Sequence, residues 1–393
     1  MSEEHRGPPF VFWAALWGCG CTMALARAYT DIFTLKNILF GRDFSNLWTA
    51  GQLALEGLSY RAFDPNSFRL EILSRLDLLT LQNYSYPPHA LFLAAPFGTM
   101  PYFAALALFT AVGAAMFLAA SRRWTPSNFP RLLGILTPAA TINMWNGHYG
   151  LILGALWLWF FANVDKRPVR AGAFAALLTL KPHMGLFIAL KALARPTAAV
   201  AAAGATIALV LASILAFGVG NWTEFLFRTS SVQGQVLTSS AKEFYFLMMP
   251  SSFVAFGRGP AAIMLQAAFG IAALCLMLRS RRVDCFAAAT ATFLIVPYVF
   301  NYDMTVVSLG ISILIFRDWN ELRRWEKLIL GASFFAPIMT FFAPWACPPL
   351  LLATLYLLIQ REEIRHSVLQ RQPSWSFKFA IAGAGAGVPT RGS

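Results

Sequence analysis

Long apolar runs recur along most of this chain, and they constrain its fold more than any other feature. The runs are about 17 to 22 residues long, which is the length that a helix needs to cross the hydrocarbon layer of a bilayer. Only 12% of the 393 residues are charged, which is about half the share found in soluble domains. The sequence therefore predicts an all-α, polytopic integral membrane protein.

We expect about twelve membrane segments, which form one domain over residues 1–372 before a flexible cytoplasmic tail, 373–393. Two segments, 169–181 and 183–194, are too short for a full crossing and are expected to form a broken helical hairpin. The first segment, 9–29, is expected to be an uncleaved span because it lacks a signal-peptide cleavage pattern. The others are 101–121, 130–146, 148–164, 198–218, 259–279, 284–300, 302–316, 327–343 and 346–360.

Lysine and arginine fall in every second loop between these segments. By the positive-inside rule this side is cytoplasmic, and both termini are expected to lie there, in the inner membrane of a bacterium. Topology then explains the net charge of +13. Nucleic-acid binding is not expected, because no basic stripe with interleaved aromatic residues lies outside the membrane segments. The basic residues of this side are Arg122, Arg123, Arg131, Lys166, Arg167, Arg170, Lys191, Arg195, Arg279, Arg281, Arg282, Arg317, Arg323, Arg324, Lys327, Arg361, Arg365 and Arg371.

The opposite, outer face receives a first outer loop, 30–86, a second outer loop, 219–258, and four short turns rich in His, Asn, Tyr, Asp and Pro. Polar side chains are costly near lipid, and they usually occur where a segment lines a cavity. Their collection on one face is the main indication of function in the sequence. The short turns are 146–150, 181–185, 297–303 and 343–349.

Apolar residues in the first outer loop recur at helical spacing and predict two amphipathic helices on the bilayer surface. The first helix begins directly after Asp43. The second begins at Asp64 and Pro65, a capping residue followed by the residue preferred at the first helical position. A proline-bounded apolar stretch within 84–102 is expected to be half inserted in the bilayer.

Two aspartates are candidate catalytic groups, and each has two interpretations. Asp43 can cap the first loop helix, and capping does not exclude that it also accepts a proton from a sugar or lipid hydroxyl. Burial against Phe44 and Trp48 would raise the pKa of this carboxyl group and make it a better base. Asp303 either caps the segment that begins at Met304 or places a second carboxylate in the outer cavity.

Four basic side chains are candidates for binding a phosphate group. A lysine in an apolar setting is costly, so Lys181 either extends to water or binds phosphate. His183 and His148 can donate hydrogen bonds and carry charge near neutral pH, and they either lie at the interface or join a phosphate site. Arg42 either pairs with Asp43 or binds phosphate.

Transfer from a phosphate-linked donor needs cations at the leaving group and a base for the acceptor hydroxyl. Glycine-rich nucleotide-binding loops are absent from the sequence, so we expect a membrane-lipid donor and not a cytosolic nucleotide sugar. The sequence has no Asp-x-Asp pair and no Cys/His cluster, so no metal and no cofactor is expected. Further candidates for the substrate cavity, beside Asp303, are Tyr86, His89, Asn146, Tyr298, Asn301 and Tyr302.

Several short motifs follow one another over residues 40–315. They are DFSNLWTAGQLALEG from Asp43, YRAFDPNSF from Tyr60, YPPHALFLAAPFGTMPY from Tyr86, NGHYGLILGAL from Asn146, LKPHMGLFIALKALA from Leu180, SFVAFGRG from Ser252 and PYVFNYDMTVVSL from Pro297. Together these motifs resemble those of glycosyltransferase family 87, whose members are polytopic transferases of the GT-C superfamily. The resemblance implies a GT-C-type fold, a polyprenyl-phosphate sugar donor, typically of mannose, a catalytic base at Asp43, and a donor phosphate held near Lys181 and Pro182.

The chain departs from this pattern at two places that would touch the substrates. It has Gly-His-Tyr-Gly at 147–150, where the family commonly has Gly-Gln-Asn, and His183 where the family has Gln. Mannose is therefore the family default and the sugar stays open.

We expect, on these grounds, a membrane glycosyltransferase that moves a hexose from polyprenyl phosphate to a lipid or glycan acceptor on the outer face, among membrane lipids. A transporter or flippase is the alternative, because transporters also use broken helices with charged residues. Against it, the polar residues gather on one face and no inverted repeat is detectable. A scaffold subunit without activity is a third class, and it would tolerate Asp43→Asn and Lys181→Ala.

Overall fold

The described part of the chain is helical. Every regular element in it is a helix, which confirms the predicted all-α class for those residues. Most of the predicted span 9–29 and the whole tail 373–393 lie outside the described residues. The computed structural model describes residues 41–78, 82–238, 244–280 and 283–371, together with Pro8, Phe12, Leu16, Gly18 and Gly20.

The α-helices are numbered here in chain order. Three 3-10 turns between them are important for the site: Leu178–Leu180, Pro182–Gly185 and Asn301–Asp303. The helices are α1 Phe44–Leu55, α2 Tyr60–Phe63, α3 Pro65–Leu76, α4 Leu91–Gly98, α5 Tyr102–Ser121, α6 Pro138–Asn146, α7 Gly150–Asn163, α8 Pro168–Leu177, α9 Leu186–Leu193, α10 Pro196–Phe217, α11 Val219–Thr223, α12 Ser230–Thr238, α13 Ser252–Ala255, α14 Pro260–Arg279, α15 Cys285–Ile295, α16 Thr305–Asp318, α17 Arg324–Phe334, α18 Ala336–Met339 and α19 Cys347–Arg371.

Among the described residues, three helices, α5, α10 and α14, are long and apolar enough to cross a membrane, and these support an integral membrane protein. Shorter apolar helices occur at α7, at α8, at α9 and at α15. The expected break between the two short segments is present, because Lys181 and Pro182 separate α8 from α9. The total of about twelve crossings stays a prediction.

The first helix of the first outer loop packs one side against neighbouring helices. Phe44 at its start is fully buried. Helix α1 crosses α4 with backbones in contact, because Gly51 and Gly98 carry no side chain, and a Cβ on Gly51 would lie 2.3 Å from the carbonyl oxygen of Ala94. This crossing fixes α1 and with it the position of Asp43. The placement of α1 and α3 on the bilayer surface stays a prediction.

The start of α3 follows the predicted capping pattern. The Asp64 carboxylate accepts a hydrogen bond of 2.9 Å from the Ser67 N–H, and Pro65 occupies the first helical position. This pattern satisfies a backbone donor that the first turn of a helix leaves without a partner.

The chain alternates between two ends of the helical assembly. Polar turns meet at one end, where the Asp43 N–H donates to the Asn146 carbonyl at 3.0 Å. The basic loops that follow α7 and α9 meet at the other end, where Arg195 lies 2.8 Å from Asp165. The polar turns and these basic loops therefore lie at opposite ends of the short apolar helices.

The two predicted outer loops contact each other. The second outer loop is helical over α11 and α12, and its Asn221 side chain donates to the Ser59 hydroxyl of the first outer loop at 2.9 Å. Trp222 donates to the Ser213 hydroxyl of α10 at 2.9 Å. Both loops thus belong to the same end of the molecule.

Candidate active site

Asp43 lies directly before α1, at the end where the polar turns meet. Its backbone is helical (φ −78°, ψ −23°) and its side chain makes no capping hydrogen bond, so the capping interpretation does not hold. Its Oδ1 atom instead accepts a hydrogen bond of 2.9 Å from Gln82 Nε2 and lies 3.9 Å from Arg42 Nε. The expected pairing of Arg42 with Asp43 is therefore present.

Burial raises the pKa of the Asp43 carboxyl above its ordinary value, while the positive charges of Arg42 and Lys181 oppose the rise. Asp303 adds to it as a second negative charge. The Asp43 side chain nevertheless keeps 16% of its surface accessible. Such a carboxylate can both reach a substrate hydroxyl and hold its proton.

Lys181 and Asp303 form a buried ion pair. The ammonium group donates to both carboxylate oxygens, at 2.7 and 3.0 Å, and the two side chains are only 7% and 2% exposed. Lys181 therefore does not extend to water. Asp303 does not cap α16 either, because Met304 occupies the capping position.

The local sequence explains how these two residues meet. Lys181 stands between two 3-10 turns with a non-helical backbone (φ −133°, ψ 78°), and the proline that follows disfavours the helical conformation at this position. Asp303 ends the turn Asn301–Asp303, and the start of α7 packs closely against that turn. A Cβ on Gly150 would lie 2.2 Å from the Tyr302 carbonyl oxygen.

His148 links this ion pair to the first outer loop. Its Nδ1 accepts a hydrogen bond of 2.9 Å from the Tyr149 N–H, which requires that nitrogen to be unprotonated. The proton of the neutral ring is then on Nε2, which lies 2.9 Å from the Tyr86 hydroxyl. These contacts suit a neutral His148 ring, whereas the sequence allowed either a neutral or a charged one.

Aromatic rings surround the ion pair. The Lys181 ammonium lies 5.0 Å from the centre of the Tyr302 ring, and that ring lies 3.8 Å from the His148 ring. His183 packs edge-to-face on Tyr298 at 5.5 Å, and its buried Nε2 has no hydrogen-bond partner among the described residues. The rings exclude water from the charges, which strengthens electrostatic interactions in this region.

Three candidate residues lie at the margin of this cluster. Asn301 donates to the Pro337 carbonyl at 2.7 Å and so anchors its turn to α18. The Asn146 side chain bonds within α6, and its backbone carbonyl holds Asp43. His89 bonds to Thr179 at 3.1 Å, two residues before Lys181, and stacks on the ring of Trp222 in the second outer loop at 5.8 Å.

Sequence reasoning missed Gln82 and Ser45. Gln82 donates to Asp43, and Ser45 lies 3.2 Å from the Gln82 amide oxygen. Gln82 lies in a polar stretch without periodicity, at a sequence distance of 39 residues from its partner. Neither spacing nor composition singles out such a residue.

An apolar cavity adjoins the ion pair. Its polar groups are few, and Lys181 and Asp303 lie on its wall. Among the described residues, no group of three or more His, Cys, Asp or Glu side chains is arranged to hold a metal ion. The lining residues are Leu153, Gly154, Trp157, Leu178, Lys181, Met184, Gly185, Ala289, Thr292, Phe293, Asp303 and Val306.

Most residues of this cluster lie in a part of the chain that matches the model of a known protein family. The model of glycosyltransferase family 87 matches residues 84–308, which is more than half of the chain. The range contains Tyr86, His148, Lys181 and Asp303, whereas Asp43 precedes it. No match was found among curated proteins or among solved structures.

Proposed function

The chain belongs to glycosyltransferase family 87, and from this premise we propose that it transfers a hexose from a polyprenyl-phosphate donor to a lipid or glycan acceptor. Mannose is the first donor sugar to test. Membership of the family already makes the chain a membrane glycosyltransferase, and the donor, the acceptor and the roles of single residues are the content of the proposal.

The proposal rests chiefly on one observation: a partly accessible carboxylate and a buried Lys–Asp pair lie at the same end of the helices. The charges of Lys181 and Asp303 both act on the Asp43 carboxyl group. A transferase of this kind needs a base for the acceptor and a fixed positive charge for the leaving group. Both requirements have a candidate residue within one cluster.

In the proposed reaction, Asp43 accepts the proton of the acceptor hydroxyl as the acceptor oxygen attacks the anomeric carbon. The bond between that carbon and the phosphate oxygen breaks, and polyprenyl phosphate leaves with the bonding electron pair. The product carries the new glycosidic bond, and Asp43 holds the proton until solvent takes it. A single displacement of this kind inverts the anomeric configuration.

Lys181 is proposed to stabilise the departing phosphate. An ammonium group has three N–H donors, and two of them are directed at the Asp303 oxygens. The third is left for a phosphate oxygen, while Asp303 keeps the ammonium in place. His183 and Arg42 are proposed as further phosphate contacts. His148 is proposed to act as an uncharged hydrogen-bond donor.

The site is proposed to face the outside of a bacterial inner membrane, with both termini in the cytoplasm. The support comes from charge: the basic loops after α7 and α9 lie at the end opposite to the site. By the positive-inside rule the basic end is cytoplasmic. A donor carried by a polyprenyl chain could then enter the site from the bilayer.

The test uses purified protein in liposomes with polyprenyl-phosphate mannose, glucose or arabinose, each radiolabelled in the sugar, and extracted envelope lipids and glycans as acceptors. We expect sugar transfer by the wild type and at least a ~100-fold loss in Asp43→Asn at normal protein yield. Asp77→Asn is the matched control, since Asp77 is an exposed residue of the same loop with a left-handed backbone (φ 50°) that asparagine tolerates.

Two results would count against the proposal. If folded wild-type protein neither binds nor consumes any of the three donors, the polyprenyl-phosphate donor is wrong. If Asp43→Asn transfers sugar as fast as Asp77→Asn, the base lies elsewhere.

A further inference from the structure

Gln82 is the side chain that holds the proposed base, although it lies far from Asp43 in the sequence. Its Nε2 donates to Asp43 Oδ1 at 2.9 Å. A carboxylate only accepts hydrogen bonds, so the amide must turn its NH2 group to Asp43. The amide oxygen then faces the Ser45 hydroxyl at 3.2 Å, in the first turn of α1. The Ser45 proton is also directed at the Arg42 carbonyl at 2.6 Å, so the hydrogen bond to Asp43 is the contact that sets the orientation of the amide.

The contacts on Asp43 are unevenly shared between its two oxygens. The hydrogen bond from Gln82 and the close approach of Arg42, at 3.9 Å, both involve Oδ1. No hydrogen bond from a described residue reaches Oδ2. With Oδ1 engaged, Oδ2 is the oxygen that can accept a proton from a substrate.

We propose that Gln82 is a positioning residue, which fixes the Asp43 carboxylate so that Oδ2 faces the acceptor hydroxyl. This inference rests on the proposed function of Asp43 as the base. Gln82 also joins the base to the rest of the site, because its segment continues to Tyr86, whose hydroxyl contacts His148.

The bond has a second consequence for the charge of the base. A hydrogen bond donated to the charged form of a carboxylate favours that form. Removing the donor should therefore raise the pKa of Asp43 further. The other charged groups acting on Asp43 are Arg42, Lys181 and Asp303, and they stay in place when Gln82 changes. The neutral titratable groups close to it are Tyr86, Tyr102 and Tyr302.

The test compares Gln82→Met and Gln82→Glu with the wild type, as full-length protein in liposomes, with whichever of radiolabelled polyprenyl-phosphate mannose, glucose or arabinose the wild type consumes. Gln82→Met keeps the size of the side chain and removes the donor. We expect kcat to fall by about 10- to 100-fold with little change in the donor KM. The acid limb of the pH profile should move to higher pH, since the base works only when deprotonated and its pKa has risen. Gln82→Glu should move the limb further, because two adjacent carboxylates raise each other's pKa.

Gln52→Met is the matched control. Gln52 is a glutamine of α1 whose amide oxygen accepts a hydrogen bond from Arg75 at 3.0 Å, away from Asp43. We expect this variant to keep the wild-type pH profile and kcat.

An unchanged acid limb in both Gln82 variants would overturn the inference, whatever happens to the rate, because a merely structural tether does not alter the titration of the base. If Gln82→Met fails to fold, Gln82→Glu gives the same test. Failure of the proposed function is separate, since it appears as full activity in Asp43→Asn.

Discussion

Arg42 is one of two positive charges that oppose the rise in the pKa of Asp43. Burial raises this pKa, and the Arg42 charge is the largest effect that opposes it. Two roles of Arg42 are therefore open: it tunes the base, or it binds the donor phosphate as the sequence also allowed. The two roles differ in what they do to pH dependence and to donor affinity.

We predict that Arg42→Gln moves the acid limb of kcat/KM to higher pH. The folded-state pKa of Asp43 is already raised, and losing a neighbouring positive charge raises it further. As the pH falls, Asp43 of the variant is protonated at a higher pH than Asp43 of the wild type, and the activity is lost at that higher pH. The measurement is the pH profile of sugar transfer, with Arg61→Gln as control, since Arg61 pairs with Glu71 at 2.6 Å in the same loop. A higher donor KM with an unshifted limb would assign Arg42 to the phosphate instead.

The Lys181–Asp303 pair is buried, and Lys181 is also proposed to stabilise the leaving phosphate. A double variant separates the effect of the pair on stability from its proposed effect on sugar transfer. Lys181→Met leaves a buried carboxylate without its cation, at a cost of about 3–5 kcal/mol. We predict a clear fall in the thermal unfolding midpoint in detergent for Lys181→Met alone. Lys181→Met combined with Asp303→Leu should regain most of that midpoint, because no charge then stays buried.

The same double variant should still transfer no sugar, because the cation for the leaving group is gone. Activity in the double variant would remove Lys181 from the mechanism. A midpoint that stays low in the double variant would show that the pair stabilises the fold beyond charge compensation.

At the residue scale, the sequence identified both members of this pair but not the pair itself. A lysine or an aspartate beside apolar segments is conspicuous because its burial is costly. The partners are 122 positions apart, and no local pattern relates positions at that distance. The same holds for Gln82, which had no conspicuous feature at all.

At the element scale, the site depends on close contacts between backbones. The turn that carries Asp303 is held against the start of α7 because Gly150 has no side chain. Asn143 of α6 donates to the same Tyr302 carbonyl at 3.3 Å. The elements therefore position the ion pair through main-chain contacts, which leave little room for change.

We predict that Gly150→Ala lowers the rate of sugar transfer by at least ~10-fold, because a displacement of reacting groups by about 1 Å reduces a catalytic rate by that much or more. The new Cβ would lie 2.2 Å from the Tyr302 carbonyl oxygen, so the turn would have to move. Sugar transfer and the thermal midpoint in detergent measure the effect. Gly204→Ala in α10 is the control, since nothing lies within 4 Å of its Cβ position and alanine favours a helix. Equal activity in the two variants would contradict the argument.

Helix boundaries were predicted correctly where a short sequence pattern marks them. Asp64 and Pro65 marked the start of α3 correctly, because a cap and an N-terminal proline act within one turn. Segment 327–343 was expected as a single span, whereas the chain forms α17 and α18 there, with a break at Phe335. Hydrophobicity over a long window does not register a break of one residue, and proline at 337 shortens the helix.

At the scale of the whole molecule, polar turns and basic loops separate to opposite ends of the short apolar helices. Polar turns with Asp43, Lys181 and Asp303 meet at one end of the helices, and the Asp165 pairs with Lys191 and Arg195 lie at the other. Charge bias alone supplied the predicted orientation. The structure adds that the candidate site lies at the end opposite to the Asp165 pairs, and which end faces outside stays a prediction.

This orientation predicts which positions a membrane-impermeant thiol reagent can reach in spheroplasts. Asn66 in α3 and Ser127 after α5 are both exposed, and they lie on opposite predicted sides. In a variant with all five native cysteines replaced by serine or alanine, we expect Asn66→Cys to be labelled in intact spheroplasts. Ser127→Cys should be labelled only after the membrane is permeabilised. The reverse pattern would turn the site towards the cytoplasm, where a nucleotide sugar would be within reach and the case for a lipid-linked donor would lose its topological support.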